Sequence, residues 1–292
     1  MTKKAAKTGA DPTGLVAIEQ KLFSENARII NDELAYKILP FSIKVAIWWK
    51  TTFFSDEDIL KCADKEFPGL WNSIMCRKRY IDERVIDATD RQIEAIVNLG
   101  AGFDTRAYRL PALAKIPIWE LDQPMIINSK QSRLKKLFKK IPDHVTLVSI
   151  DFNYEELGAV LKSHGYATNK KTFFIWEAVT QYLTDAAIKT IFNFLAKTTT
   201  YSRLVFTYVC KDFINGNISY GLENKFVIRN SDWLFGIDPS NIDDFLGKYG
   251  WHVLEHLGYE AFTERYVKPT GRELEPMLLE RIVYAEKLKT KN

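Results

Sequence analysis

Three carboxylates, Asp122, Asp151 and Glu177, follow short apolar segments in the middle of this sequence, each at the C-terminal end of its segment. If the apolar segments are parallel strands, these side chains lie along one edge of a sheet, where α/β proteins bind their ligands. Ionised carboxylates accept hydrogen bonds and attract cations. The pattern therefore predicts a crevice for a ligand that carries a ribose, an adenine and cationic groups. Taken singly, Asp122 and Asp151 could instead cap the helices that follow them.

A glycine-rich turn precedes these carboxylates. The segment 95–110 reads as an apolar strand, a turn that contains Gly100, Ala101 and Gly102, and the start of a helix. The glycines have no Cβ atoms, so a ligand can approach the bare backbone. A dinucleotide-binding turn has a third glycine where this chain has Thr105, which weakens the interpretation as a nicotinamide or flavin site. A turn that binds S-adenosylmethionine fits, because it need not accommodate a pyrophosphate, and a purely structural turn remains the alternative.

Alternating strand and helix patterns position these residues. Predicted strands cover 93–99, 116–121, 145–150, 172–176 and 203–209. Helical patterns over 123–140, 153–164 and 184–198 separate them. This alternation predicts an α/β fold with a Rossmann-like, doubly wound and mostly parallel sheet. Two further strands, 251–257 and 279–285, are expected to pair at one edge of the sheet and to add an antiparallel C-terminal strand.

The same patterns divide the chain into a tail and one domain. Residues 1–12 are predicted to form a flexible basic tail, and residues 13–292 a single domain. Within the domain we expect an N-terminal helical cap (13–93), a cofactor-binding core (94–210), a lid insertion (211–240) and a C-terminal sheet edge (241–287). The insertion is inferred from turn residues that interrupt the alternation, among them Asn215-Gly216. With the N-terminal helices, it is expected to cover the strand ends.

Composition excludes several functional classes. The 292 residues include 46% hydrophobic and 27% charged side chains, which is ordinary for a globular protein. The net charge of +4 is carried by lysines in the two terminal segments, so the body gives no indication of a nucleic-acid partner. No stretch approaches the roughly 20 apolar residues of a membrane span, and three scattered cysteines indicate neither disulfides nor a metal site. We therefore predict a cytoplasmic protein with no membrane partner and no metal.

Several motifs, in order along the chain, resemble those of one family. Cys76–Asp82 is similar to the family's arginine segment, and Val97–Leu110 to its glycine motif. Further similar motifs are Trp119–Pro124, Trp176–Leu183 and Glu280–Glu286. The family is that of the leucine carboxyl methyltransferases, which use S-adenosylmethionine, and the resemblance covers residues 13–287. It is nearest to a bacterial O-methyltransferase branch with unassigned substrates, and it implies that the predicted domain is a methyltransferase.

The resemblance also implies which residues bind the cofactor. Arg77 would hold the methionine carboxylate through two parallel hydrogen bonds, which a lysine cannot imitate. Arg79, two residues away, is its rival for this role. Asp122 would bind the ribose, and Glu177 would lie beside the cofactor's amino group. The other expected contacts are Gly100, Ala101, Gly102, Gln123 and Ala178, with Asp151 and Phe152 against the adenine.

The residue types near these motifs indicate the acceptor of the methyl group. A carboxylate acceptor is already ionised near neutral pH, whereas a hydroxyl acceptor usually needs a general base. All four histidines lie outside the cofactor motifs, so we predict that a small carboxylic acid is converted to its methyl ester. No catalytic base is assigned, and the residues that could position the acceptor are Tyr80, Arg106 and Tyr182.

Three alternatives remain open from the sequence. The acceptor could be a hydroxyl group of a secondary metabolite, with an Asp, Glu or Tyr as the base. The chain could bind S-adenosylmethionine without catalysing a transfer. A protein substrate, such as the C-terminal leucine that the family's activity on a phosphatase subunit implies, is less favoured than a small molecule.

Overall fold

A seven-stranded sheet forms the centre of the computed structural model, which describes residues 3–218, 233–273 and 275–289. Its strands are β1 (Ala95–Leu99), β2 (Ile118–Asp122), β3 (Val145–Ser149), β4 (Thr172–Trp176), β5 (Arg203–Val209), β6 (Trp251–Leu257) and β7 (Glu280–Lys287). They lie in the order β3-β2-β1-β4-β5-β7-β6. The pairs from β3 to β5 are parallel, and β7 is antiparallel to both β5 and β6. The predicted mostly parallel sheet with an antiparallel C-terminal strand is confirmed.

The central strands are apolar on both faces because helices cover both sides of the sheet. In β4, Phe173 packs into the core on one face, and its neighbour Phe174 packs into the core on the other. The strand order reverses between β1 and β4, and parallel α/β sheets bind ligands at the carboxyl ends of the strands at such a switch point. Gly100 follows β1 at this point, and Glu177 follows β4.

Twelve α-helices surround the sheet within the described residues. Five precede it: α1 (Lys3–Leu22), α2 (Leu34–Ile38), α3 (Phe41–Phe53), α4 (Asp56–Glu66) and α5 (Leu70–Asp90). The others are α6 (Arg106–Arg109), α7 (Pro124–Phe138), α8 (Leu157–Ser163), α9 (Asp185–Leu195), α10 (Lys211–Ile214), α11 (Ile242–Gly247) and α12 (Tyr259–Phe262). Local signals set several ends: Ser55 accepts the N–H of Asp58 at the start of α4, and Pro124 opens α7.

The N-terminal helices are joined to the C-terminal part of the chain through a buried carboxylate. Glu19 on α1 accepts the indole N–H of Trp71 at 2.8 Å and a guanidinium N–H of Arg272 at 2.6 Å. Its Oε1 also accepts the backbone N–H of Ile29 at 3.0 Å. Helix α1 reaches the glycine turn as well, because the hydroxyl of Thr13 donates to the carbonyl of Phe103 at 3.3 Å. These contacts join α1 to α5, to the glycine turn and to the C-terminal segment around Arg272.

Some boundaries differ from the sequence predictions. Strand β2 covers Ile118–Asp122 where 116–121 is predicted, and Asp122 ends the strand, as its place after the apolar segment indicated. Helix α8 begins at Leu157, because a turn stabilised by Asp151 occupies the start of the predicted helix. The backbone of the predicted basic tail is helical from Lys3 onward. The middle of the predicted lid insertion, residues 219–232, lies outside the described residues. None of the helices described is both long and apolar enough to cross a bilayer.

Candidate functional site

The turn after β1 places both of its glycines in the left-handed region, with φ of 75° at Gly100 and 45° at Gly102. A Cβ on Gly100 would lie 2.2 Å from Cγ2 of Val179, so a larger residue there would displace the segment after β4. The N–H groups of Gly100 and Ala101 both donate to the carbonyl of Leu121 at 2.8 Å. The turn is therefore held against the end of β2, at the switch point of the sheet.

Asp122 closes this turn from the end of β2. Its Oδ2 accepts the N–H of Gly102 and its Oδ1 the N–H of Gln123, both at 2.7 Å. Burial raises the pKa of Asp122, and these two hydrogen bonds oppose the rise. Gln123 occupies the N-cap position of α7, and no side chain forms a capping hydrogen bond there. Asp122 therefore holds the glycine turn and does not cap α7. Each carboxylate oxygen keeps a lone pair for a ligand hydroxyl.

Asp151 lies two residues beyond β3 and organises the next turn. Its Oδ1 accepts the N–H of Asn153 at 3.1 Å, and its own N–H donates to Glu155 at 2.7 Å. The side chain of Glu156 caps α8, so Asp151 is not the cap of that helix. Phe152 is buried in the core on the same face of the sheet as Trp176. The predicted adenine-binding pair thus lies at the end of β3, one strand beyond Asp122.

Arg77 and Glu177 form a buried contact at the end of β4. Nε of Arg77 donates to Oε1 of Glu177 at 3.0 Å, and Nη1 donates to Glu280 at 2.7 Å. Arg79 lies elsewhere, because its side chain is half exposed and pairs with Glu83 on the same helix at 3.1 Å. Of the two rival arginines, only Arg77 reaches the carboxylates at the strand ends.

Arg106 lies at the centre of the same group of ion pairs. Its guanidinium contacts Glu177 Oε2 at 2.9 Å and Asp82 Oδ1 at 2.7 Å, and it also pairs with Asp104. The side chain is fully buried, and every guanidinium nitrogen donates to the protein. Arg106 therefore stabilises the turn and the helix behind it, and four of its five guanidinium N–H groups are used in these contacts. Its role in positioning an acceptor stays a prediction.

Glu177 is ionised despite its burial. Burial alone would raise the pKa of Glu177, but the neighbouring cations Lys78, Arg106 and Arg77 lower it to about 2. Nζ of Lys78 lies 3.4 Å from Oε1 of Glu177. The pKa of Asp104 is likewise well below its usual range, because Arg106 outweighs the effect of burial.

The ion-pair network extends to residues that the sequence did not predict. Asp82 joins Arg106 to Arg109, whose Nη2 lies 2.6 Å from Oδ2. Within the described chain, the network consists of Arg77, Lys78, Arg106, Arg109, Asp32, Asp82, Asp104, Glu177 and Glu280. One signal was present: Lys78 falls on the same helical stripe as Ile74 and Ile81, where the periodicity calls for a buried residue.

Ala178 occupies an unusual backbone conformation directly after Glu177. Its φ is 57°, a left-handed value that costs an L-residue roughly 1–2 kcal/mol. Its N–H donates to Oγ1 of Thr207 at 2.8 Å, and its carbonyl accepts from Gln181 at 3.3 Å. These bonds hold the strained residue in place, as is typical of functional sites, and they bring Val179 against Gly100.

The structure separates the two tyrosines that could position an acceptor. Tyr182 ends a short 3₁₀ turn after β4, and its ring meets the edge of Trp233 at 6.3 Å between centroids. It stays a candidate. Tyr80 lies away from the strand-end carboxylates, with Arg84 over its ring at 5.4 Å and Phe262 at 6.3 Å. Tyr80 therefore packs between α5 and α12, and its role in positioning an acceptor stays a prediction.

Known proteins share the sequence of this site region. A family model described as leucine carboxyl methyltransferase matches residues 12–196. A protein of Mycolicibacterium smegmatis is 27% identical over 272 residues, which is 88% of this chain and 86% of the relative. A protein of Mycobacterium marinum is 26% identical over 272 residues, which is 89% of this chain and 87% of the relative. Both carry the provisional name S-adenosyl-L-methionine-dependent methyltransferase.

Solved structures share the fold. A provisionally named methyltransferase from Thermobifida fusca gives a TM-score of 0.58 at 15% identity, over 82% of this chain and 91% of its own. A DUF574 family protein from Streptomyces avermitilis gives 0.55 at 14% identity, over 92% and 99%. The family model itself spans more than half of the chain. The protein therefore belongs to the leucine carboxyl methyltransferase family, and its activity class is that of an S-adenosylmethionine-dependent methyltransferase.

Proposed function

We propose that this protein transfers the methyl group of S-adenosylmethionine to the carboxylate of a small organic acid and so forms a methyl ester. The cofactor, when bound, supplies an electrophilic methyl group on a cationic sulfur. The protein's contribution is to align donor and acceptor and to exclude water, which is worth roughly 7–11 kcal/mol when the reacting atoms are held close. The observation that carries the proposal is the buried contact of Arg77 with Glu177 beside the glycine turn.

The charge of the ion-pair network fits this cofactor. Counted as ionised, the described members comprise five carboxylates and four cations. The cofactor adds two cationic groups and one carboxylate. Oε2 of Glu280 is buried and accepts no hydrogen bond from any described residue. An ammonium group bound near Arg77 and Glu177 would supply the donor that this oxygen lacks.

Arg77 is the residue best placed to hold the methionine carboxylate. Two of its nitrogens already donate to Glu177 and Glu280, which fixes the plane of the guanidinium. Its Nη2 donates to none of the described residues and is left for an anionic ligand. A guanidinium held in this way keeps its orientation before the cofactor arrives, so little side-chain entropy is lost on binding.

The other half of the cofactor would lie along the ends of β2 and β3. Asp122 would accept hydrogen bonds from the ribose hydroxyls with the lone pairs that the glycine turn leaves open. Gln123 would lie beside it, and Asp151 with Phe152 would bind the adenine. The half-buried position of both carboxylates supports this assignment, because each is partly open to solvent.

The positions of the histidines support a carboxylate acceptor. None of the four lies among the strand-end residues, where a general base would be needed for a hydroxyl acceptor. The ring of His144 lies 3.0 Å from the carbonyl oxygen of Ala107, and the ring of His164 lies 2.9 Å from the carbonyl oxygen of Val160. His252 is exposed to solvent, and the ring of His256 lies 2.9 Å from the hydroxyl of Tyr208. Burial lowers the pKa of His256, which disfavours its protonated form.

Two measurements test the proposal. Calorimetry with S-adenosylhomocysteine should show binding, and no uptake at millimolar concentration would disprove the cofactor site. Turnover is then measured with labelled S-adenosylmethionine on small carboxylic acids, phenols and peptides that end in leucine. A product that releases methanol in mild alkali is the expected ester. An alkali-stable ether would instead establish a hydroxyl acceptor, and binding without turnover on every class would favour a non-catalytic protein.

A further inference from the structure

Helix α3 presents a row of large apolar side chains to solvent. Phe41 is 78% exposed and Phe53 64% exposed, and the others in the row are about half exposed. We call this surface the aromatic face, and its members are Phe41, Val45, Trp48, Trp49, Phe53 and Phe54. With 3.6 residues per turn, positions 41, 45, 48, 49 and 53 fall on one side of the helix. The other residues on that side are uncharged.

The core of the protein does not need these side chains. The inner side of α3 packs through Ile47, which is buried, and through Ile43 beside Gly14 on α1. Helix α1 in turn packs on α5 and contacts the glycine turn through Thr13. The aromatic face therefore points away from both the core and the candidate cofactor site, and neither explains its composition.

The exposed area reaches or exceeds that of the largest apolar patch on a typical monomer, which is about 300–600 Å². Aromatic side chains have about 150–250 Å² to bury, so the five aromatics at these exposures leave roughly 450–700 Å² of apolar surface open. Single exposed apolar residues are normal, whereas a continuous patch of this size marks an interaction site. A standard protein interface buries about 800 Å² on each partner. The aromatic face supplies most of that area.

The charges at the two ends of α3 differ in sign. Lys37 and Lys44 lie at its N-terminal end, and Lys44 donates to the carbonyl of Lys37 at 2.6 Å. Three exposed carboxylates, Asp56, Glu57 and Asp58, follow its C-terminal end. They outnumber the cations there, which are Lys50 in its last turn and Lys61, the ion-pair partner of Glu57. An anionic lipid surface would be repelled by these carboxylates directly beside Phe53 and Phe54. The α3 helix of a second copy, packed antiparallel, would instead place its basic end beside the acidic end of the first. The antiparallel arrangement also brings opposite ends of the two helix dipoles together, which is favourable.

We propose that the aromatic face is the interface of a twofold homodimer in which two α3 helices pack antiparallel. Such an interface is self-complementary, because each patch meets the same patch on its partner. Trp48 and Trp49 lie at the middle of α3 and therefore at the centre of the contact, where tryptophan commonly contributes most of the binding energy. The proposal concerns assembly and is independent of the methyl acceptor.

The first test is the molar mass of the full chain in solution, measured by light scattering and sedimentation. The wild type should be a dimer, and Trp48→Glu should weaken dimerisation by roughly a hundredfold or more. Tyr154→Glu is the matched control, because Tyr154 is 83% exposed and lies outside the aromatic face. A wild type that stays monomeric up to about 100 μM would overturn the proposal.

Charge exchange provides a second test that does not alter the aromatic residues. Lys37→Glu and Asp56→Lys should each weaken the dimer by roughly threefold or more, since an exposed ion pair is lost twice in a twofold contact. The double variant should recover most of the wild-type affinity, and failure to recover would contradict the antiparallel arrangement. Sedimentation with anionic and neutral phospholipid vesicles tests whether the aromatic face binds a lipid surface instead. A monomeric wild type that binds vesicles, with the binding lost in Trp48→Glu, would overturn the dimer and assign the aromatic face to lipid.

Discussion

The two halves of the strand-end edge differ in how their carboxylates are held. At β4, Glu177 is bound to Arg77, Lys78 and Arg106 and is almost fully buried. At β2 and β3, Asp122 and Asp151 are partly buried and accept hydrogen bonds only from backbone N–H groups in the described structure. We call the first the closed half, because charged side chains surround Glu177. We call the second the open half, because no charged side chain pairs with Asp122 or Asp151 among the described residues.

This difference explains how one edge can be rigid and still accept a ligand. Ion pairs among buried groups fix side-chain positions but have few sites left for a partner. Backbone N–H groups fix a carboxylate through one lone pair of each oxygen and leave the others available. The closed half would therefore orient the reacting end of the cofactor, and the open half would receive its ribose and adenine. Variants in the closed half should mainly alter stability, and those in the open half mainly affinity.

Arg106→Met should have the largest effect. It leaves Glu177, Asp82 and Asp104 without their shared cation, and breaking a buried ion pair costs about 3–5 kcal/mol. The loss is measured as the free energy of unfolding in urea. Arg79→Met is the control, because its half-exposed pair with Glu83 should contribute at most about 1 kcal/mol. Equal losses in the two variants would show that the network does not stabilise the fold.

The closed half should also give the fold a pH dependence. The pKa of Glu177 is lowered from an ordinary 4.5 to about 2 in the folded protein. The unfolded chain therefore takes up the proton first, and the stabilisation is present above pH 4.5 and lost as the pH falls towards 2. Unfolding measured between those limits should show a smaller change in Glu177→Gln than in the wild type. Identical pH slopes would mean that Glu177 is not held ionised by its neighbours.

Arg77→Lys sharpens the comparison at the boundary of the two halves. A lysine keeps the charge but cannot hold Glu177, Glu280 and a ligand carboxylate in one plane. We expect S-adenosylhomocysteine to bind more weakly by roughly 2–3 kcal/mol, the scale of a hydrogen bond to a charged group. Arg79→Lys should bind almost as the wild type does. Calorimetry distinguishes the two, and a reversed order would assign the carboxylate to Arg79.

Asp122→Ala tests the open half. Affinity for S-adenosylhomocysteine should fall by roughly 1–2 kcal/mol through lost hydrogen bonds to the ribose. Asp143→Ala is the control, because Asp143 is an exposed carboxylate paired with Lys140. Unchanged affinity in Asp122→Ala would remove this residue from the site. A fall in affinity that accompanies a much larger loss of folding stability would place Asp122 with the closed half instead.

Glu280→Gln should have the smallest effect. The amide oxygen of glutamine can still accept a hydrogen bond from Arg77. The substitution removes the negative charge at Oε2, which accepts no hydrogen bond from the described residues. We expect a loss of about 1 kcal/mol in S-adenosylhomocysteine affinity, and a loss of stability smaller than that of Arg106→Met, because only one ion pair of the network is altered. An unchanged affinity would show that the ammonium group of the cofactor lies beside Glu177 alone.

Local signals account for the parts of the site that the sequence predicted. Gly100 and Gly102 are recognisable in the sequence, because a turn with positive φ after a strand favours glycine. Asp122 is found by its place at the end of an apolar strand. The periodicity of residues 70–89 predicts α5 almost to its ends. That pattern treats Arg77 and Arg79 alike, and it did not indicate that Tyr80 packs against Phe262.

The sequence alone determined the alternating architecture, the glycine turn and the carboxylates at the strand ends, since each depends on residues close together in the chain. Only the tertiary structure decided that Arg77 contacts the carboxylates at the strand ends, because its partner Glu280 lies 203 residues away. The same holds for Arg106, which the sequence offered as a residue to position the acceptor and which the structure places among buried carboxylates. Charge pairing between distant segments has no period and no fixed spacing, so it becomes visible only when the sheet brings β4, β7 and α5 together.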